Sequence, residues 1–259
     1  MAAIPLRHEV FYPESDGKPM AETGLHVNEM LKLLGLLKHH FRHQTDVYAS
    51  ANMFLYYVEG DPRSCVAPDL FVAKGVVGNH ERRTYQVWRE GRPPCFVLEV
   101  TSDSTRRIDL YKKKDLYARI GVAEYFLFDL LGDYLKPPLQ GFELDEGRYR
   151  PLAPLLDGAL VSQTLGLTFR PTSEGLRLFE TATGEPLLGL QEMAERLEVV
   201  SEKLETVSEK LEEVTVEREA AEEAARQERR AREEAEARLA AETAARRALE
   251  ERLARLEGK

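Results

Sequence analysis

PCFVLEVTSDSTRRIDLYKKKDLYARIGVAEYFLFD, residues 94–129, reads as strand, turn, helix, strand. Phe96, Leu98 and Val100 alternate with Val97, Glu99 and Thr101, so a short, mostly apolar run carries one carboxylate. A strand buried on both faces rarely holds an ionised glutamate without a partner, so Glu99 is either salt-bridged or binds something positive. Thr101, Ser102, Asp103 and Ser104 supply turn and N-cap chemistry. A helix is predicted from there to about Ile120, with Asp109, Lys113 and Tyr117 four apart on one face and Gly121 at its end. EYFLFD, residues 124–129, is the next strand.

Outward from this unit, residues 1–20 read as an irregular lead-in and 21–41 as a helix, apolar around much of its circumference. His39, His40 and His43 at its end read as capping and solvation rather than as metal ligands. Residues 47–58 and 66–73 read as single strands, the second holding Asp69 among apolar neighbours. A loop-rich crossing over 74–94 includes a short strand at 85–88, with Trp88 as packing. Residues 139–144 and 148–152 suggest a hairpin, and 153–188 short strands closing the domain.

From about residue 189 the composition changes to Glu, Ala, Arg and Leu, without Pro or Gly until Gly258. SEKLETV and SEKLEEV are consecutive heptads, and Leu197, Val200, Leu204, Val207, Leu211 and Val214 keep three-four spacing. The same frame continues through Ala221, Ala225, Ala235, Leu239, Leu249, Leu253 and Leu256, while Arg218, Glu228, Arg232, Glu242 and Arg246 fall on seam positions and weaken its middle. The expected domains are therefore 1–188, an α/β core, and 189–259, a long C-terminal coiled-coil helix. A solvated single helix with local ion pairs is the plainer alternative.

The formal charge of −9 comes from 45 acidic and 36 basic residues, with 20 and 14 of them from Gln191 onward. No basic excess advertises nucleic acid, so such binding needs a local patch. Two cysteines make no disulfide framework, the first residues lack the apolar run of a signal peptide, and no apolar stretch spans a bilayer. A cytoplasmic protein without a membrane partner is expected.

If the strands of Asp69 and Glu99 are neighbours, both carboxylates face one point at the sheet edge. Two hard oxygen ligands suit Mg²⁺ or Mn²⁺, which polarises a phosphoryl oxygen and lowers the pKa of an attacking water. Thr101 lies on the face of Glu99 but brings no positive charge. Lys113 is the best substitute, whereas Lys112 and Lys114 point elsewhere. A partly buried structural pair of Glu99 with Lys113, and a surface pair of Lys113 with Asp109, are the plainer readings. Glu29 on the first helix is a candidate third carboxylate.

PDLFV around Asp69, the 94–129 block, the lead-in YPESDGKPMAETGLH and the later PLQGFELDEGRYRPL together resemble the Uma family (Uma-two) of restriction endonucleases, within the PD-(D/E)XK nuclease superfamily. The resemblance covers about residues 8–190. It implies an α/β restriction-endonuclease-like core, with a mixed central sheet flanked by helices, and metal-dependent hydrolysis of phosphodiester bonds. Asp69 and Glu99 match the two metal-binding acids. The superfamily's usual lysine falls on Thr101, a departure that recurs across the Uma family, and Lys113 matches the lysine thought to replace it.

The expected function is a Mg²⁺- or Mn²⁺-dependent DNA endonuclease with Asp69, Glu99 and Lys113 catalytic. Lys74, Arg82, Arg83, Arg89 and Arg92 are candidate phosphate contacts. A homodimer through the coiled coil would pair two nuclease domains. The alternative is a non-catalytic binding or assembly module that keeps the nuclease fold and works through its heptad tail. Action on RNA would use the same site.

Overall fold

The computed structural model describes residues 10–15, 23–78, 80–102 and 105–257. Most of the 1–20 lead-in, and the N-cap candidates Asp103 and Ser104, lie outside them. The chain divides into two compact units, Met1–Leu190 and Gln191–Lys259.

The first unit opens with α1 (Gly24–His40), capped by Thr23, whose hydroxyl accepts from the His26 N–H at 3.3 Å. Strands β1 (Val47–Ser50), β2 (Leu55–Tyr56), β3 (Cys65–Val66), β4 (Leu70–Lys74) and β5 (Tyr85–Gln86) precede a single turn, α2 (Val87–Glu90). Then comes β6 (Phe96–Val100), a π-helical stretch Ile108–Lys113, α3 (Lys114–Ile120) and β7 (Glu124–Phe128). Strands β8 (Leu139–Asp145) and β9 (Arg148–Pro151) form the hairpin, and β10 (Leu160–Ser162), β11 (Leu167–Thr172) and β12 (Gly175–Glu180) a separate three-stranded sheet.

The central sheet is six-stranded and mixed, in the order β1-β4-β6-β7-β8-β9. Only β6 and β7 run parallel, which requires a crossover, and the helical stretch between them is that crossover. Alternation along β6 sorts its side chains to two cores. Phe96, Leu98 and Val100 pack with Leu33 and Leu37 of α1 and with Phe169 and Leu178 of the small sheet. Val97 points to the other face, among Tyr117, Tyr125 and Leu127. Glu99 shares that second face. Antiparallel pairing sets Leu70 opposite Leu98, so Asp69, one residue before β4, arrives beside Glu99.

Three expected strands are shorter than their apolar runs. The 47–58 run breaks after β1, where Asn52 adopts φ 48° and its N–H bonds to the Pro68 carbonyl at 2.9 Å. The 66–73 run breaks at Pro68, which has no N–H for a ladder, and its halves join different sheets. The 85–88 run keeps only β5 before turning into α2; Trp88 packs against Tyr12 with ring centroids 5.2 Å apart. Gly121 does end α3, at φ 86°.

The second unit is one helix, α4 (Leu190–Glu257), 68 residues long. Among its described side chains, ion pairs four residues apart join Arg218 to Glu222, Glu228 to Arg232, Arg229 to Glu233 and Arg246 to Glu250. Among the described residues no helix is long and apolar enough to cross a membrane.

Candidate active site

The C-terminal ends of the parallel pair β6 and β7, together with the residue before β4, form the polar centre of the first unit. Asp69 is locked to β6 in both directions. Its Oδ2 accepts the Val100 N–H at 2.7 Å, and its own N–H donates to Glu99 Oε2 at 3.3 Å. His26, in the first turn of α1, brings Nε2 to 3.3 Å from the same Oδ2.

Glu99 is 0% exposed. Lys113 donates to its Oε2 at 2.8 Å and Tyr117 to its Oε1 at 2.7 Å. Lys113 also pairs with Asp109 Oδ1 at 3.1 Å, and the Thr101 hydroxyl donates to Asp109 Oδ2 at 3.4 Å. The crossover therefore delivers Asp109, Lys113 and Tyr117 to one strand glutamate. Its first part is π-helical rather than α-helical, a local widening often found at functional sites. The Asp109–Lys113 contact is a buried pair, unlike the surface pair that is the plainer reading of the sequence.

Glu99 and Asp109 thus share one ammonium group, and Asp69 adds a third carboxylate to the same cluster. Burial, reinforced by Asp69 and Asp109 against the pull of Lys113, pushes the Glu99 carboxyl up to about 8. Burial alone would lower the Lys113 ammonium, but Glu99, Asp109 and Asp69 together outweigh it and raise it above its ordinary value. The two shifts oppose each other across one contact. Lys113 is held toward its charged form, and Glu99 is pushed toward its neutral form. Burial and the neighbouring Glu99 also raise the Tyr117 hydroxyl well above its usual range, keeping it a donor.

A cleft of ≈ 510 Å³ opens over this cluster. Asp69, His26, Thr101, Asp109 and Lys113 line its polar side, while Leu25, Leu130, Leu131 and Tyr134 line its apolar lip. Glu99 lies behind Lys113. The lip is held by the buried Asp129 carboxylate, which accepts the N–H groups of Gly132 at 3.0 Å, Leu135 at 2.8 Å and Tyr134.

Asp69, Glu99 and Lys113 are brought together; Glu29 is not. Its carboxylate accepts the Leu176 N–H at 2.7 Å and pairs with Lys32 at 2.6 Å, tying α1 to β12. A Cβ on Gly175 would meet that carboxylate at 2.3 Å, so a glycine lets the strand approach.

The five basic candidates do not line the cleft either. The Arg82 side chain, 3% exposed, pairs with Glu90 at 2.8 Å and lies over the Tyr48 ring, which commits it to packing. Lys74 sits 4.9 Å from the Phe41 ring centroid, and Arg92 donates to the Lys74 carbonyl at 3.3 Å. Arg83 pairs with Glu14, and Arg83 and Arg89 border a different cavity of ≈ 360 Å³. His26 and the donor role of Tyr117 are absent from the sequence reading. The four-residue spacing marks Tyr117, but no pattern marks His26.

Among the described residues no three His, Cys, Asp or Glu converge into a ready metal cage. The donor chemistry nevertheless fits a hard divalent cation: clustered carboxylate oxygens, and a negative surplus that a cation would neutralise in place of a proton.

The fold and cleft define a mixed α/β protein with an acid–lysine cluster at the ends of its parallel strands. The chain belongs to the Uma2 family, described as "Putative restriction endonuclease", which it matches over residues 3–173. Among solved structures it is similar to "a putative nuclease belonging to DUF820 from Anabaena variabilis ATCC 29413", at 14% identity and TM-score 0.42, over 59% of this chain and 81% of that one. No curated protein matches it. Family membership implies a hydrolase acting on nucleic acid.

Proposed function

We propose that the 1–188 domain is a divalent-metal-dependent endonuclease that hydrolyses phosphodiester bonds in DNA at the cleft over Asp69, Glu99 and Lys113. The observation that carries this reading is the 2.8 Å contact of the buried Glu99 with Lys113, which lines the cleft together with Asp69. A helix thereby supplies the positive charge that Thr101 cannot. A Mg²⁺ or Mn²⁺ ion held by Asp69 and Glu99 oxygens would polarise the phosphoryl group and lower the pKa of the attacking water.

The chain's own residues do the rest. Lys113 places a fixed positive charge where the phosphoryl oxygens gain negative charge, in a site shielded from bulk water. Asp109 and Glu99 hold that ammonium, and Tyr117 fixes the Glu99 carboxyl so that its second oxygen faces Lys113. The Val100 N–H and His26 orient Asp69 at the cleft wall.

The test is cleavage of supercoiled plasmid with Mg²⁺ or Mn²⁺ by the wild type, Asp69→Asn, Lys113→Met and Lys112→Met. Nicking by the wild type should fall by roughly 100-fold or more in the first two variants, the scale of losing one preorganised charge, and persist in Lys112→Met. Equal loss in Lys112→Met would remove Lys113 from its special role.

One observation favours a second reading. Glu99 is wholly buried and both its oxygens are already bonded, which suits a structural ion pair in a binding module. Absence of cleavage of duplex DNA, single-stranded DNA and RNA by folded, metal-loaded protein would favour that module.

A further inference from the structure

The helix α4 differs along its length. Leu197, Val200, Leu204, Val207, Leu211 and Val214 form one stripe and are each 59–69% exposed. The ion pairs that solvate the helix internally all fall later, between residues 218 and 250 among the described side chains. Leu239, Leu249 and Leu253 continue the frame farther on and are 55–65% exposed, but charged seam residues and local ion pairs separate them from the heptad part, whose apolar stripe is unbroken and uncovered. That stripe is on the order of 500 Å² per helix, and two copies together reach about 1,000 Å², where specific interfaces begin.

Homotypic pairing suits the stripe. The two near-identical heptads repeat the same seam residues, so a second copy laid parallel and in register matches position for position. The flanking positions on one side are Arg196, Lys203 and Lys210, and on the other Ser201, Ser208 and Thr215. In parallel register each cation meets a neutral hydroxyl residue, with no like-charge clash.

The order of residues within the seam decides the number of strands. A three-residue step from Leu to Val, then a four-residue step back, places Leu at every first core position and β-branched Val at every second. Two-stranded parallel coils favour the reverse order, β-branched first and Leu second; Leu first with a β-branched residue second favours larger bundles. The small Ser201, Ser208 and Thr215 on one flank agree, because flanking positions become more enclosed as strands are added, while the long stems of Arg196, Lys203 and Lys210 on the other flank let their charges reach solvent. Thr215 already returns its hydroxyl to the Leu211 carbonyl at 2.6 Å, so it can be enclosed without an unmet donor.

We propose that residues 194–216 assemble copies of this chain into a parallel bundle of three or four helices, not the two-stranded coil that heptads alone suggest. Assembly through α4 requires no activity of the cleft.

The test is the mass of the intact chain by sedimentation equilibrium and light scattering. The expected mass is three or four times the 29.5 kDa monomer, and a monomer or dimer would overturn the proposal. A sixfold variant exchanges the seam order: Leu197→Val, Val200→Leu, Leu204→Val, Val207→Leu, Leu211→Val and Val214→Leu. It should drop to a dimer with its helical circular dichroism unchanged; an unchanged mass would overturn the seam argument. Leu204→Asp should reduce the mass to that of the monomer, and retention of the full assembly would place the contact outside α4.

Discussion

Burial pushes the Glu99 carboxyl up to about 8 in the folded chain, while a solvated glutamate in the unfolded chain has its ordinary value near 4.5. Between those values the folded state carries one proton more than the unfolded state, so raising the pH draws the equilibrium toward unfolding. The stabilising contribution is whole below the lower value and is lost as pH climbs through the upper one. Without metal, the urea midpoint should therefore fall between about pH 5 and about pH 9, and Glu99→Gln should flatten that part of the profile. An unchanged slope in Glu99→Gln would assign the titration to another group. The acids and the lysine at this centre are legible in the sequence because each is a polar residue in a revealing place: Asp69 after a proline, Glu99 inside an apolar strand, Lys113 one helical turn beyond Asp109. His26 is not legible, because a histidine near a helix start has many ordinary explanations. Arg82 illustrates the opposite error. A loop arginine suggests solvent and phosphate, but Glu90, eight residues on, and the Tyr48 ring, distant in the sequence, take it inside.

At the scale of elements, the strand–crossover–strand unit is legible because its apolar runs are short and its punctuation strong. The π-helical stretch is not, since widening a helix by one residue leaves the composition untouched. That extra residue sets the phase between Asp109, which bonds near the start of the crossover, and Tyr117, which bonds near its end. Deleting the exposed Tyr111 would remove the widening and rotate one end against the other by about 100°. The helix should survive by circular dichroism while the convergence on Glu99 is lost, lowering thermal stability and abolishing plasmid nicking. Full retention of both would show that the phase is set elsewhere. The broken strands teach a related lesson. Reading 66–73 as one strand overlooks the missing N–H of Pro68, whereas Asn52 turns the chain by a backbone angle that an asparagine permits but does not demand.

For the whole molecule, the shift to a Pro- and Gly-free tail is legible from composition, and α4 occupies that stretch. The covering of one sheet face by both α1 and a second small sheet is not legible, because it depends on contacts between residues more than a hundred positions apart, such as Glu29 with Leu176. Removing residues 190–259 should leave the cooperative urea transition of the remaining chain nearly unshifted while sharply reducing mean helicity. A collapse of that transition would show that the first unit leans on the helix. One consequence concerns the life of the chain before it is finished. The lysine that completes the proposed centre comes from the crossover and not from the strand that carries Glu99. A nascent or partly unravelled chain can form the strand pair yet lack the charge, which arrives only when the crossover docks. For a protein proposed to cut the cell's own polymer, that separation is a folding interlock: the blade stays unassembled until the whole core has closed around it.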